Sequence, residues 1–211
     1  MADNIEVLTH SSIRITDGRR RIYADPYEMR EAPHDADVIF VTHEHYDHFS
    51  PEDIEKAAKP ETVLVVPESM KKKAKEVKKI VGEIVTVAPG ERTVMAGIGV
   101  EAVPAYNIGK HFHPQSAGWV GYVLTFGGER IYIAGDTDVT DEARLVKCDV
   151  ALVPVGGTYT MDKAEAAALV NEIRPGVAIP THYGTVVGSP ADGEAFAAMV
   201  DPQIRVEVKM R

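Results

Sequence analysis

The sequence has only one cysteine, Cys148, among its 211 residues. A single thiol excludes a disulfide within the chain and a metal site built from several thiolates. Low cysteine usage is typical of proteins in a reducing compartment, so we expect a cytoplasmic location. Because Cys148 comes just before an apolar run, we expect a buried small side chain there rather than a nucleophile.

The sequence also lacks any apolar run of ~18 residues, so it predicts no membrane span. Positive charge is scarce, since 23 Lys and Arg face 32 Asp and Glu, giving a formal net charge of −9. We therefore expect no nucleic-acid partner, because such binding draws its affinity from Lys and Arg on phosphates. One basic run, with Ala74, Val77 and Ile80 between its lysines, predicts an amphipathic helix over 68–79. An RNA or membrane patch is the alternative there.

Three common catalytic patterns are absent: the GxSxG elbow, the P-loop and the dinucleotide fingerprint. The sequence instead gathers potential metal ligands into residues 42–48, which include His43, His45, Asp47 and His48. Imidazole and carboxylate groups suit zinc, iron or manganese. A solvated loop would have no need for three of the chain's eight histidines, so this cluster indicates a metal centre.

Strand and helix signals alternate along the chain, and their order occurs twice. Residues 21–25 follow a hairpin turn, as residues 130–136 do, and the apolar run 37–41 matches 149–153. Each apolar run is followed by a loop, a helix and a short strand. Two such halves predict an α/β fold, a four-layer αββα sandwich with the sheets face to face, formed by 1–211 as a single domain.

Further candidate ligands lie where predicted strands end. Asp25 and Asp136 follow the matching hairpin strands, and His182 lies just past a later strand. We expect these groups to converge with residues 42–48 on one edge of the sandwich, because functional groups gather where a rigid scaffold gives way to loops. A turn carboxylate is the alternative role for Asp25.

Residues 42–48 resemble the HxHxDH motif of the metallo-β-lactamase superfamily. Other segments resemble its first, fourth and fifth motifs, in order along the chain: 25–26, 134–137 and 179–183. Two more segments, 8–12 and 154–160, are similar to its small single-domain branch. That branch contains L-ascorbate-6-phosphate lactonase and the N-acyl-phosphatidylethanolamine phospholipase D enzymes.

The resemblance implies two divalent metal ions, with Zn²⁺ favoured and Mn²⁺ or Fe²⁺ as alternatives. The implied ligands are His43 and His45 for one ion and Asp47, His48 and His182 for the other, with Asp136 shared. Asp25 would accept a hydrogen bond from a ligand imidazole and fix its tautomer. Asp47 would also serve as a catalytic proton carrier. The role of His10 stays open between supporting a ligand, facing the substrate and structure.

The third motif departs from the family pattern. Asn107 stands where the family has a ligand histidine, and His111 and His113 follow it closely. We expect His113 to bind the first ion, because Pro114 stiffens its backbone, and we expect His111 to face solvent. If neither histidine reaches the site, Asn107 or water would complete it.

The implied activity is hydrolysis of a small ester, lactone, amide or phosphodiester by a metal-bound hydroxide. One alternative is a nucleic-acid phosphoesterase of the same superfamily. Another is a non-catalytic redox or metal-sensing module, although diiron members carry a Glu in the ligand set where this chain has His45. The expected partner is a small-molecule substrate, and a homo-oligomer is left open.

Two loops, 26–36 and 107–118, are expected to shape the pocket. Gly156 and Gly157 leave two interpretations equally open, an anion site made of backbone N–H groups and a tight turn after a buried strand.

Overall fold

The computed structural model describes residues 2–210, which form two β-sheets flanked by helices. The first sheet has the order β1-β2-β3-β4-β5-β6. Its strands are β1 (Ile5–Thr9), β2 (Ser12–Thr16), β3 (Arg21–Ala24), β4 (Ala36–Phe40), β5 (Ala58–Pro67) and β6 (Glu83–Val87). The helix after β4 is α1 (Pro51–Ala57).

The second sheet has the order β13-β12-β11-β10-β9-β8-β7. Its strands are β7 (Arg92–Met95), β8 (Ile98–Pro104), β9 (Val120–Phe126), β10 (Glu129–Ile133), β11 (Val150–Pro154), β12 (Val177–Thr181) and β13 (Arg205–Val206). Its helices are α2 (Asp141–Arg144), α3 (Lys163–Ile173) and α4 (Asp192–Ala197).

The two halves repeat the same strand pairing. In β1 to β6 and again in β8 to β13, the first two pairings are antiparallel and the next three are parallel. A side-chain contact repeats as well. Asp37 accepts a hydrogen bond from the backbone N–H of Arg21 at 2.8 Å, and Asp149 accepts one from the N–H of Arg130 at 2.8 Å. The predicted duplication is thus visible in topology and in detail.

Apolar side chains lie in three clusters, which define the four layers. The central cluster joins the inner faces of both sheets, where the rings of Phe40 and Tyr122 lie 5.1 Å apart. One outer cluster includes Ile54 of α1 beneath the first sheet, and the other includes Leu169 and Val170 of α3 beneath the second. The predicted αββα sandwich is confirmed.

Helix starts follow the local sequence. Ser50 caps α1 by accepting a hydrogen bond from the backbone N–H of Asp53, and Pro51 occupies the first helical turn. Asp162 forms a capping box with Glu165 at α3. Across residues 2–210, no helix combines the length and the apolar character that a membrane crossing requires.

The predicted Lys-rich helix over 68–79 is wrong. This segment forms two short 3₁₀ helices, Glu68–Met70 and Lys73–Val77, although Ala74 and Val77 are buried as the pattern indicated. Like charges three and four residues apart repel each other on an α-helix, so the lysines disfavour a continuous one. The four-residue α2 was not predicted, because it is too short to show a periodic pattern.

Candidate metal centre

Imidazole and carboxylate groups from both halves meet at one edge of the sandwich, where the parallel strands end. The converging residues are His10, His43, His45, Asp47, His48, His113, Asp136 and His182. Backbone hydrogen bonds join the two halves beside these residues. The N–H of His182 donates to the carbonyl of His10 at 3.0 Å, and the N–H of Val120 donates to the carbonyl of Thr42 at 3.2 Å. These bonds hold the two sets of strand ends in fixed register.

The Asp136 carboxylate lies at the centre of the cluster. The Nε2 atoms of His182, His48 and His113 lie 3.1, 3.2 and 3.3 Å from its oxygens, and that of His43 lies 4.0 Å away. Asp136 follows β10 after a short turn and is buried. It therefore lies within 3.3 Å of imidazoles from both halves of the chain.

The candidate ligands fall into two sets, called the first and second ligand groups, and the first consists of His43, His45 and His113. Their ring nitrogens lie within 4.8 Å of one another, and Nε2 of His43 lies 3.1 Å from Nδ1 of His45. The ring of Trp119 lies against all three imidazoles, at centroid distances of 5.0, 4.9 and 5.5 Å. Trp119 is the chain's only tryptophan, so its fluorescence reports on this group.

Asp47, His48 and His182 form the second ligand group, and His10 lies beside them. The four ligand atoms lie within 4.8 Å of one another. Oδ2 of Asp47 lies 3.7 Å from Nε2 of both His48 and His182, and 3.3 Å from Nε2 of His10. The other ring nitrogen of His10 lies 3.0 Å from the hydroxyl oxygen of Thr185.

Unusual backbone conformations position this edge. Asp25, His10 and His182 have φ angles of 45°, 49° and 58°, in the left-handed region that costs on the order of 1–3 kcal/mol for such residues. Gly156 is required by close approach, since a Cβ there would lie 2.2 Å from the carbonyl oxygen of His182. Gly135 has a φ of 65°, and a Cβ added there would lie 3.0 Å from the Cβ of Thr42.

Asp25 lies behind the centre and orients His48. Its carboxylate accepts hydrogen bonds from the backbone N–H and the hydroxyl of Thr42, at 2.8 and 2.7 Å. The same carboxylate lies 2.7 Å from Nδ1 of His48. This contact fixes the ring so that Nε2 of His48 faces Asp136.

Asn107 supports the loop that carries His113. Its side-chain oxygen accepts a hydrogen bond from the backbone N–H of His113 at 3.2 Å and lies 3.0 Å from the Nδ1 atom. Its amide nitrogen donates to the carbonyl of Tyr159 at 2.8 Å and to Asp138 at 3.2 Å. Both ends of the Asn107 amide are thus engaged, and the Nε2 atom of His113 faces Asp136. His111 is exposed, as the sequence predicted.

Charge is concentrated in this buried edge. Burial alone would raise the pKa of Asp136, but the imidazoles of His182 and His48 outweigh it and hold the pKa well below its usual range. Burial would lower the pKa of His48, but Asp136 and Asp25 raise it well above the usual value. Burial and the neighbouring His48 lower the pKa of His43, which keeps that imidazole neutral.

The side chains fit divalent metal ions. Four buried polar atoms aimed into the cluster have no hydrogen-bond partner: Nε2 of His48, His113 and His182, and Oδ1 of Asp136. Buried polar groups are normally paired, so four unpaired atoms in one place indicate a missing partner. A set of imidazoles and carboxylates matches zinc, manganese or iron.

A cleft of about 320 Å³ opens onto the cluster. Its lining combines ligand residues with apolar side chains: His45, Tyr46, Asp47, Phe112, His113, Asp136, Tyr159 and Val186. The loop 107–118 shapes it as expected. Residues of the loop 26–36 line a different pocket, with Leu8 and Arg14, and contribute to the cleft through Tyr27, whose ring lies against that of Tyr46.

The Gly156–Gly157 segment forms a tight turn. The backbone N–H of Gly157 donates to the carbonyl of Met161 at 3.0 Å, and that of Thr158 donates to the carbonyl of Gly156 at 3.2 Å. These two N–H groups are therefore engaged within the loop, which favours the turn interpretation over an anion site.

Sequence reasoning missed several contributors to the site. Trp119 and Thr42 contact His43, Thr185 contacts His10, and none of the three is itself a potential ligand. The single tryptophan beside a predicted strand was a usable signal for Trp119, since an isolated Trp often fills a defined position. No local signal marks the threonines, because their contacts come from the other elements of the fold.

Comparison with known proteins agrees with this geometry. A family model described as a β-lactamase superfamily domain matches residues 4–182. A UPF0173 metal-dependent hydrolase from Aeropyrum pernix is 34% identical, over 92% of this chain and 88% of the relative. One from Thermus thermophilus is 33% identical, over 92% and 89%.

Solved structures show the same fold. A protein from Parabacteroides distasonis, assigned as a metal-dependent hydrolase, has a TM-score of 0.84 and 31% identity, covering 98% of this chain and 93% of its own. Igni18, a metallo hydrolase from Ignicoccus hospitalis, has a TM-score of 0.79 at 23% identity, covering 98% and 94%. The chain therefore belongs to the metallo-β-lactamase superfamily, in the group whose curated relatives are named metal-dependent hydrolases.

Proposed function

We propose that this metal-dependent hydrolase holds two divalent ions, with zinc favoured, and cleaves a small ester, lactone, amide or phosphodiester. The observation that carries the proposal is the shared position of Asp136 between two ligand groups. A single site would need only one of those groups. Manganese and iron are the alternatives, since the same donors accept them.

In this proposal each ligand group holds one ion, and Asp136 contacts both. The first ion is held by His43, His45 and His113, and the second by Asp47, His48 and His182. This keeps the sequence-based assignment, in which His113 supplies the first group's third imidazole in place of Asn107. His113 is supported there by its distance of 3.3 Å from Asp136 and by its unpaired Nε2 atom.

When bound, such ions would lower the pKa of a water molecule and polarise the bond under attack. The chain's own residues orient the ligand imidazoles and exclude water from the cleft. Asp25 holds the Nδ1 proton of His48, and Asn107 does the same for His113. The close walls of the cleft would displace water from the bound substrate.

Asp47 is the proposed proton carrier of the reaction. It is the second-group carboxylate that lines the cleft, so a reacting group there comes within its reach. Burial would raise its pKa, but the hydrogen bond from His10 and the nearby imidazoles of His182 and His48 outweigh burial and keep the carboxylate ionised. His10 is the proposed support of Asp47, since the Thr185 hydroxyl can donate to Nδ1 while Nε2 donates to the carboxylate.

A nucleic-acid phosphoesterase is less well supported. None of the described residues lining the cleft is Lys or Arg, and the formal net charge of the chain is −9. A long polyanion would find little to hold its phosphates outside the metal centre. A redox or metal-sensing module is also less well supported, because His45 stands in the first ligand group and lines the open cleft.

The whole chain, 1–211, is proposed to act as one domain, because the central apolar cluster is shared by both sheets. We also propose a reducing, cytoplasmic location on the ground of the single, free Cys148.

A substrate panel on protein of known metal content tests the function. The panel contains an aryl ester, a lactone, an anilide and a bis-aryl phosphodiester, each assayed with metal-free protein and after loading with Zn²⁺, Mn²⁺ or Fe²⁺. We expect hydrolysis of at least one class that requires metal and is lost in Asp136→Ala. Equal rates with and without metal, or no hydrolysis by fully loaded protein, would overturn the proposal.

A further inference from the structure

The cleft above the metal centre has an apolar outer wall. Tyr46, Phe112 and Val186 line it and are 65%, 47% and 38% exposed, which is high for large apolar side chains. They come from three separate loops and meet only at this mouth, together with Tyr159. Exposed apolar surface gathered around one cavity marks a binding site rather than ordinary surface.

We propose that the part of the substrate outside the metal centre is an uncharged apolar group of about the size of an aromatic ring. This inference rests on the proposed function, since it concerns the substrate of the same site. Phe112, Tyr159 and Val186 form its contact surface, and Tyr46 closes the rim.

The aromatic residues of the wall are held in place by neighbouring rings. Phe112 and Tyr159 meet edge to face, with centroids 4.6 Å apart and planes at 90°. Tyr46 meets Tyr27 in a similar way at 6.0 Å. Rings fixed by such contacts present a preformed surface, so an incoming ring or branched chain would not have to order them.

The charges near the wall disfavour an anionic group. The described lining of the cleft contains no Lys or Arg. The nearest cation on the Phe112 loop, Lys110, is occupied, because its ammonium donates to Asp138 at 2.6 Å and to the carbonyl of Thr160 at 2.7 Å. Glu28 and Asp47 place negative charge near Tyr46. A carboxylate or phosphate on the outer part of a substrate would therefore meet no positive partner on the wall.

The affinities of four hydroxamates for the metal-loaded protein separate the contribution of the apolar wall from that of the metal centre. A hydroxamate group binds metal ions, so acetohydroxamate measures the centre alone, and benzohydroxamate adds an uncharged ring. The 4-carboxy and 4-aminomethyl benzohydroxamates add a charge of either sign to that ring. Calorimetry gives each Kd without any turnover, so the order of affinities is read independently of whether the hydrolysis panel succeeds.

Three variants test which residues provide the added affinity for the ring. Phe112→Ser and Val186→Ser each remove part of the wall from a different loop, and both positions are exposed, so the fold should tolerate the change. Leu145→Ser is the matched control, since Leu145 is 77% exposed and lies outside the cleft. The metal content of each protein is measured first.

We expect benzohydroxamate to bind about ten-fold more tightly than acetohydroxamate, as burial of an apolar ring face predicts. The 4-carboxy analogue should lose most of that gain, because its charge meets no positive partner on the wall, and the 4-aminomethyl analogue should bind no more tightly than benzohydroxamate. Phe112→Ser should reduce the gain to about two-fold, Val186→Ser should reduce it less, and Leu145→Ser should leave it intact, with acetohydroxamate unchanged throughout. Equal affinity for the aceto and benzo compounds, tighter binding of either charged analogue, or an undiminished gain in Phe112→Ser would overturn the inference.

Discussion

The side-chain oxygen of Asn107 lies 3.0 Å from Nδ1 of His113. Asn107 occupies the place where the family motif has a ligand histidine, and the imidazole arrives instead from a loop six residues later. The amide also accepts a hydrogen bond from the backbone N–H of His113, and its nitrogen donates to Tyr159 and Asp138. The residue at the motif position thus orients the imidazole of His113.

Asn107→Ala should weaken metal binding by the first group about 10- to 100-fold, because His113 would lose the partner that fixes its tautomer and ring orientation. Fluorescence of Trp119 during metal titration of the metal-free protein measures this affinity directly. Asn107→Asp should restore only part of it, since the carboxylate can accept from Nδ1 but its second oxygen would face the Tyr159 carbonyl and the Asp138 carboxylate. Unchanged affinity in the alanine variant would make Asn107 a loop residue only.

His113→Ala should lower metal content and hydrolysis rate together, because the first group would retain only His43, His45 and the shared Asp136. Metal analysis and initial rates on the same preparation provide the comparison. His111→Ala is the matched control from the same loop and should change neither quantity. A slower rate with full metal content would instead make His113 a substrate or proton-transfer residue.

Asp25→Asn should loosen the second ion by about 10- to 100-fold without removing it, since His48 would lose its carboxylate partner. The variant amide still has one oxygen for the N–H of Thr42, so the fold should persist. Competition with a chelator of known affinity measures the change. Asp17→Asn, in the turn at the opposite end of β3 from Asp25, is the control. Wild-type affinity in Asp25→Asn would reduce Asp25 to a turn residue.

Cys148 should react very slowly with iodoacetamide at pH 8. Burial, followed by the neighbouring charge of Asp149, raises the pKa of this thiol to about 12. The reactive thiolate is the minor form below that pH, so the alkylation rate should rise about ten-fold per pH unit through the alkaline range. Mass spectrometry of timed samples measures it, with urea-unfolded protein as the reference. Equal rates for folded and unfolded protein at pH 8 would contradict the raised pKa.

The sequence was most informative where a strand signal and a ligand residue coincide. Asp25, Asp136 and His182 each follow a strand, and parallel pairing carries those strand ends to one edge. The convergence therefore follows from topology. The duplicated order of elements was readable for the same reason, since each half alternates apolar runs with turn signals.

Features set by contacts between distant segments could not be predicted. The partners of Asn107 lie 31 and 52 residues away, so nothing local distinguishes it from a failed ligand. The apolar wall is assembled from four loops, and each contributes one residue that looks ordinary alone. For the Lys-rich segment, the apolar spacing correctly predicted the buried residues but wrongly predicted a continuous α-helix. Repulsion between its lysines opposes the α-helix that the apolar spacing favours.

The central claim is that Asp136 joins two ligand groups into one centre for two ions. Calorimetric titration of the metal-free protein with Zn²⁺ tests it most directly. We predict about two equivalents bound per wild-type chain, with Asp136→Ala losing tight binding at both groups, because each depends on the shared carboxylate. A single equivalent in the wild type, or a stoichiometry that Asp136→Ala leaves unchanged, would contradict the account.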